Sequence, residues 1–161
     1  MITVTHAQPE HRDAFLRMCR DVYAEGRVSQ WGELDIEAMG QLFDQSIQCN
    51  LLNGNLGAGD VRVFIALDDD RPIGALAVTI QPVYFAPTTL MAQEMFVWCD
   101  HEHRKNGVAG MLFAAACEWA KAGGCRGIAA GALMTAAARA VGKIVSALGF
   151  EPIENVWVRA F

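Results

Sequence analysis

A carboxylate inside an apolar run, a basic turn carrying one glycine and the start of an Ala-rich helix follow one another between Glu94 and Gly110. Glu94 is flanked by Met91, Ala92, Met95, Phe96 and Val97, where an ionised carboxyl is costly without a reason. A carboxyl so placed is a candidate general base. The alternative is an edge-facing or hydrogen-bonded structural glutamate. The chain then turns through Arg104, Lys105, Asn106, Gly107, Val108, Ala109 and Gly110. Glycine at 107 lets the backbone approach a ligand closely, and small residues at 109 and 110 keep the first helical turn uncluttered. Unpaired amides at a helix start, with the positive end of its dipole, form an anion site suited to a pyrophosphate. The bland alternative is a helix N-terminus that binds only water.

Two other arrangements carry less. Cys99, His101 and His103 are metal-ligand types, but a fourth ligand is not evident, and no metal is expected. A cysteine on an apolar strand reads as a small core residue rather than a nucleophile. The five cysteines are odd in number and irregular in spacing, with no Cys-x-x-Cys, so no disulfide framework is implied and a reducing interior is the simpler reading. A net charge of -5 argues against a general nucleic-acid binder and leaves a cationic or amine-bearing substrate open.

The elements that must position these residues are legible from periodicity. The 161 residues, 53% hydrophobic, suit a single domain over 1–161 with a core of its own. Ile2 to Thr5 alternates as a first strand, and Pro9-Glu10 opens a helix with Phe15, Cys19, Val22 and Tyr23 on one face. Asp35 is the N-cap of a second helix with Ile36, Met39, Phe43 and Ile47 at helical spacing. Val61 to Leu67 and Pro72 to Gln81, separated by a polar turn, form a hairpin. Pro82 to Pro87 reads as a proline-bounded loop before a third apolar run, Leu90 to Cys99. The helix after Gly107 stops at Gly123-Gly124. Ile128 to Leu133 is a short strand, Thr135 caps a helix through Ala147, and Val156 to Phe161 alternates as a last strand. The N-terminus lacks the basic region and apolar run of a signal peptide. The most apolar stretch, Gly107 to Ala122, is broken by Glu118 and Lys121 and falls short of a membrane span. A soluble, cytoplasmic protein with no membrane partner is expected.

The Arg104-x-x-Gly107-x-Ala109 turn after a strand resembles the cofactor motif of the GNAT family of N-acetyltransferases. The order of elements along the whole chain, and Gly149-Phe150 before the final strand, are similar to that family too. Ala92-x-Glu94 and Glu118-Trp119-Ala120-Lys121 resemble small acetyltransferase-like proteins of phage and prophage genomes. The resemblance implies an α/β fold with a central mixed, mostly antiparallel sheet and helices on both faces.

It also implies acetyl-CoA as co-substrate, bound where the fourth and fifth strands splay apart. Pantetheine would pair with the backbone of Val97 and Cys99, and the pyrophosphate would rest on the amides from Arg104 to Gly110. Acetyl transfer to an amine needs a base, since a lysine-like amine has a pKa of ~10.4; Glu94 is the candidate. The carbonyl oxygen needs a backbone N–H as charge builds on it. The leaving thiolate is served in the family by a tyrosine, whose position is Val145 here. Ser146 is too weak an acid, so water or Tyr84 is left to that role. Trp31, Tyr84 and Phe85 lie in loops that wall the acceptor pocket in the family, with Arg27 and Glu33 as further contacts, and His103 and Lys105 would add positive charge near the 3′-phosphate end of CoA. The acceptor is an amine of a small molecule or protein, and a homodimer is compatible with the reading. The competing reading is a CoA-binding or partner-binding module that keeps the fold and has lost the acid.

Overall fold

The structure, a computed structural model, describes residues 1–26, 32–51, 56–131 and 138–151. Its strands are β1 (Ile2–His6), β2 (Val61–Asp68), β3 (Arg71–Val83), β4 (Ala86–Cys99) and β5 (Ile128–Ala129). They lie in that order in one sheet, with β1 to β4 antiparallel and β5 parallel to β4. The helices are α1 (Arg12–Glu25), α2 (Ile36–Leu51), α3 (Val108–Ala122) and α4 (Ala138–Ala147). The expected mixed, mostly antiparallel sheet with helices on both faces is observed. Thr135, Leu133 and the strand expected from Val156 to Phe161 lie outside the described residues, as do Arg27 and Trp31.

The two faces follow from alternation along the strands. One face of the sheet presents Val63, Ile65, Ala75, Ala77 and Trp98 to Phe15, Met18 and Cys19 of α1 and Phe43 of α2. Phe15 meets Phe43 at 5.1 Å and Phe96 at 5.5 Å between ring centroids. The other face presents Phe64, Ala66, Leu76, Val78 and Cys99 to Val108, Leu112, Phe113 and Ala116 of α3. Each of the larger side chains so buried stabilises the fold by about 1.5–3 kcal/mol. Asp35 caps α2 as its sequence predicts, its carboxylate accepting the Ala38 amide at 2.9 Å. Gly74 lets α3 sit close: a Cβ there would meet the Trp98 carbonyl at 3.0 Å and Val108 at 3.1 Å.

Two expectations are corrected. Pro82 to Pro87 is not a loop; β3 continues through Pro82 to Val83, Tyr84-Phe85 makes the turn, and β4 starts at Ala86. The prolines are tolerated because no ladder amide is needed there. Pro82 lies beyond the end of β2, whose last partner on β3 is Thr79, and Pro87 falls in a register shift between Val83↔Ala86 and Pro82↔Leu90. The strand expected from Ile128 is only two residues long, because β5 pairs with β4 at Ala92↔Ile128 and Gln93↔Ala129 and then leaves it.

Candidate active site

The departure of β5 leaves one edge of β4 unpaired among the described residues, and a bulge decides which groups line it. Before Glu94, the Leu90 carbonyl accepts the Arg126 amide at 2.8 Å and the Ala92 amide donates to Gly127 at 3.0 Å. Even-numbered residues there face β5. After it, the Asp100 amide donates to Ile73 of β3 at 2.8 Å, so even-numbered residues face the other way. The inversion comes from Met95: Val78 lies opposite Glu94 and Ala77 opposite Phe96, which leaves Met95 without a partner. Past the bulge, Val97 and Cys99 turn their backbone groups toward the space that β5 vacates. The Cys99 carbonyl is taken by Arg104 Nε at 3.0 Å. Among the described residues none takes the Val97 amide or carbonyl or the Cys99 amide.

Glu94 stands at the vertex of this splay. Its Oε2 accepts the Gly131 amide at 2.9 Å, just after β5. Burial pushes its carboxyl up to about 7, and the Gly131 hydrogen bond pulls the other way. A carboxyl poised there exchanges a proton near neutral pH, which a solvated glutamate does not. The thiol of Cys99 is also pushed up, to about 11, by burial first and by the neighbouring Asp100, with Arg104 opposing. A thiol so raised stays protonated and is a poor nucleophile.

From Cys99 the chain passes through a 3-10 turn at His101–His103 and reaches Gly107 at φ 77°, ψ 6°. A left-handed residue here swings the chain into α3 with its first amides facing outward. The first intrahelical bond runs from the Met111 amide to the Gly107 carbonyl at 3.1 Å. The amides of Val108, Ala109 and Gly110 therefore have no helical acceptor, and no acidic residue occupies the first turn of α3. Lys105 is exposed beside them. The expected seven-amide cradle is narrower than that. The Arg104 amide donates to His101 at 3.4 Å and the Asn106 amide to His103 at 3.0 Å, so both are spent inside the turn.

The Arg104 side chain also turns away, to Cys99, to Glu25 at 2.8 Å and over the Trp98 ring. His103 is largely buried between Asp68 at 3.6 Å and Glu102 at 3.7 Å. Tyr84 and Phe85 are 88% and 91% exposed at the hairpin tip. Eight residue steps along the strand, roughly 25 Å, separate Ala86 from Glu94. Tyr84 is therefore out of reach as an acid within one chain, and neither aromatic walls the site. Val145 of α4 packs against the α3 side of the core, and Ser146 is exposed. A cleft of about 430 Å³ between α1 and the end of β4 is lined by Arg17, Asp21, Glu25, Trp98 and Asp100 among others. Its charges are paired: Arg17 with Asp21 at 3.1 Å and Asp100 at 3.0 Å, and Glu25 with His101 and with Arg104 outside the lining. Among the described residues no group of three or more His, Cys, Asp or Glu could hold a metal ion, and no helix is long and apolar enough to cross a membrane.

Sequence patterns reach the turn and Glu94, but not the Met95 bulge, Gly131 or the Glu25 anchor. A bulge adds one residue without changing apolar alternation enough to mark it, and Glu25 meets Arg104 across 79 positions.

The family model for Acetyltransferase (GNAT) matches residues 17–150. The chain belongs to the GNAT family of acetyltransferases. Acetyl transfer from acetyl-CoA is thus its reaction class, and an N-acyltransferase the enzyme type. No curated protein matches the sequence. Among solved structures, this GNAT chain is similar to aminoglycoside acetyltransferase AAC(6')-Iy in complex with the bisubstrate analogue CoA-S-monomethyl-acetylneamine. That match has 20% identity and a TM-score of 0.74, and covers 100% of this chain and 98% of the other. An aminoglycoside acetyltransferase from an uncultured soil metagenomic sample, in complex with trehalose, is 16% identical with a TM-score of 0.70, over 99% and 95% of the two chains. A Trypanosoma brucei acetyltransferase is 14% identical with a TM-score of 0.69 over 100% of both chains. At these identities the likeness shows the fold.

Proposed function

We propose that the chain acetylates an amine by direct attack on acetyl-CoA within a ternary complex. The observation that carries this is the continuity of three features along one path: the open amides of α3, the free edge of β4 at Val97 and Cys99, and Glu94 at the vertex. Pantetheine extended along β4 would replace the missing strand, with the pyrophosphate on the amides of Val108, Ala109 and Gly110. The thioester then lies beside Glu94.

In the reaction the amine nitrogen attacks the thioester carbon, the C–N bond forms and the C–S bond breaks. Glu94 takes the amine's proton, directly or through water. A free backbone N–H of β4 faces the developing oxyanion. CoA leaves as thiolate and water protonates it, since Tyr84 is out of reach and the Tyr23 hydroxyl donates to the Gly32 carbonyl at 2.6 Å. Holding both reactants in one cleft removes much of the entropic barrier.

The acceptor class supported is an amine of a small molecule, with a protein amine as the other source. Aminoglycoside acetyltransferases among the structural neighbours make aminosugars the first group to assay. A second reading, a CoA-binding module without transfer, is favoured by one observation, the valine at 145. Thiol release from acetyl-CoA across a panel of aminosugars, polyamines and lysine peptides separates the two. Release with at least one amine, slowed about a hundredfold or more in Glu94→Gln, supports the enzyme. Acetyl-CoA binding with no release above hydrolysis for any amine supports the module.

A further inference from the structure

Gly131 enters the site through its backbone alone. β5 has ended at Ala129, so the sheet ladder does not use the Gly131 amide, and it is spent on Glu94 instead. We propose that this amide is a positioning group for the transfer: it anchors Glu94 Oε2 across the mouth of the splay and leaves Oε1 as the oxygen that receives the acceptor's proton. The inference rests on the reading of Glu94 as the base.

An unanchored glutamate has three rotors to order before it can accept a proton in a set direction. Fixing one oxygen from the neighbouring strand removes most of that freedom. The bond also opposes the effect of burial. Burial favours the neutral acid, whereas an N–H donor favours the carboxylate. Val78 lies opposite Glu94 on β3, and Ile128 and Ala129 pair with the residues just before it. No charged group among the described residues shifts its titration; burial and the Gly131 amide are the two causes. Among the described residues the amide is the one group that favours the ionised form of Glu94.

Glycine is not required at 131 for shape. Its φ is not in the left-handed region, and a Cβ would sit 3.7 Å from Oε2, ordinary contact. Alanine there keeps the N–H, and proline removes it. The two variants therefore separate the hydrogen bond from the side-chain space.

The test follows two nuclei in the free protein from pH 5 to 9: the Glu94 carboxyl carbon and the Gly131 amide nitrogen. The amide is expected to shift with the same midpoint as the carboxyl, and its shift to vanish in Glu94→Gln. Gly131→Pro should raise the carboxyl midpoint by about one unit and Gly131→Ala by no more than a few tenths. With an active amine in hand, Gly131→Pro should transfer about fivefold more slowly at pH 7 and recover above about pH 8.5, as a one-unit rise in midpoint requires. An amide in the unaltered protein that ignores the carboxyl's ionisation overturns the proposal, whether or not Gly131→Pro folds. Equal midpoints in the proline and alanine variants overturn it too. If Glu94→Gln transfers at the wild-type rate, the base reading fails whatever the titration shows. If that variant is slow while the amide stays still, only the role of Gly131 fails.

Discussion

Arg104 directs its guanidinium away from the phosphate turn and into α1, where it donates to Glu25 at 2.8 Å. The same group donates to the Cys99 carbonyl at 3.0 Å and covers the Trp98 ring, 4.6 Å from its centroid. It ties the end of β4 to the helix that leads toward residues 27–31. Through these contacts the arginine of the motif braces the turn. Arg104→Ala should cost about 1–2 kcal/mol of stability, since the exposed ion pair alone contributes under about 1 and the remainder is the bond to Cys99. Affinity for acetyl-CoA should fall less than about tenfold, measured by calorimetry. Loss of binding altogether would place the guanidinium on the phosphates.

In the proposed mechanism Glu94 sets the pH dependence of the reaction. A base must be ionised, and burial raises the Glu94 carboxyl to about 7. Transfer to a weakly basic amine should therefore rise through a midpoint near pH 7 in the wild type. In Glu94→Gln the rate should drop about a hundredfold or more and lose that midpoint. A profile that is flat from pH 5 to 9 in the wild type would contradict the assignment.

The same shift acts on stability, with the sign fixed by its direction. The folded value lies above the ordinary 4.5 of a free glutamate, so the stabilising contribution is complete below 4.5 and is lost as pH rises through 7. Glu94→Gln removes the titrating group. Its melting temperature relative to wild type should rise between pH 4.5 and pH 8, by the equivalent of roughly 1–2 kcal/mol after allowance for solvent screening. A constant difference across that range would mean that the carboxyl is not desolvated.

Tyr84 offers a negative control. Its hydroxyl is exposed at the hairpin tip, and its ring meets only Phe85, at 4.8 Å, among the described aromatic pairs. Tyr84→Phe should leave transfer within about twofold of wild type, because no acid is removed. A tenfold loss in a thiol-release assay would show that a second copy brings Tyr84 to the site.

Much of the fold is legible in the sequence because burial imposes period. Phe15 and Cys19 on α1, Val108 and Leu112 on α3, and the continuous apolar runs of β2 and β3 all mark surfaces that the structure buries. The Asp35 cap is local chemistry and is read correctly. Prolines mislead between 82 and 87, since two edge prolines mimic a loop when their neighbours on the sheet are unknown. The site divides the same way. Gly107 is legible because a positive φ demands glycine, but the direction of the Arg104 side chain depends on Glu25 and Trp98, which spacing cannot supply. Nor can it supply the Met95 bulge that turns Val97 and Cys99 outward, or the partner of Glu94, which is a main-chain amide and leaves no mark in residue type.

The central claim is that the α3 start and the free β4 edge hold acetyl-CoA, and a thermal melt with the cofactor tests it most directly. At a hundred times its Kd, acetyl-CoA should stabilise the native state by about 2.7 kcal/mol, a rise in Tm of roughly 5–10 °C for a chain of this size. In Gly107→Glu a carboxylate is added at the start of α3, where it repels a pyrophosphate, and the left-handed backbone is strained for any side chain. The variant should melt lower and show no rise with cofactor. An equal rise in wild type and variant, or no rise in wild type at millimolar acetyl-CoA, would contradict the account.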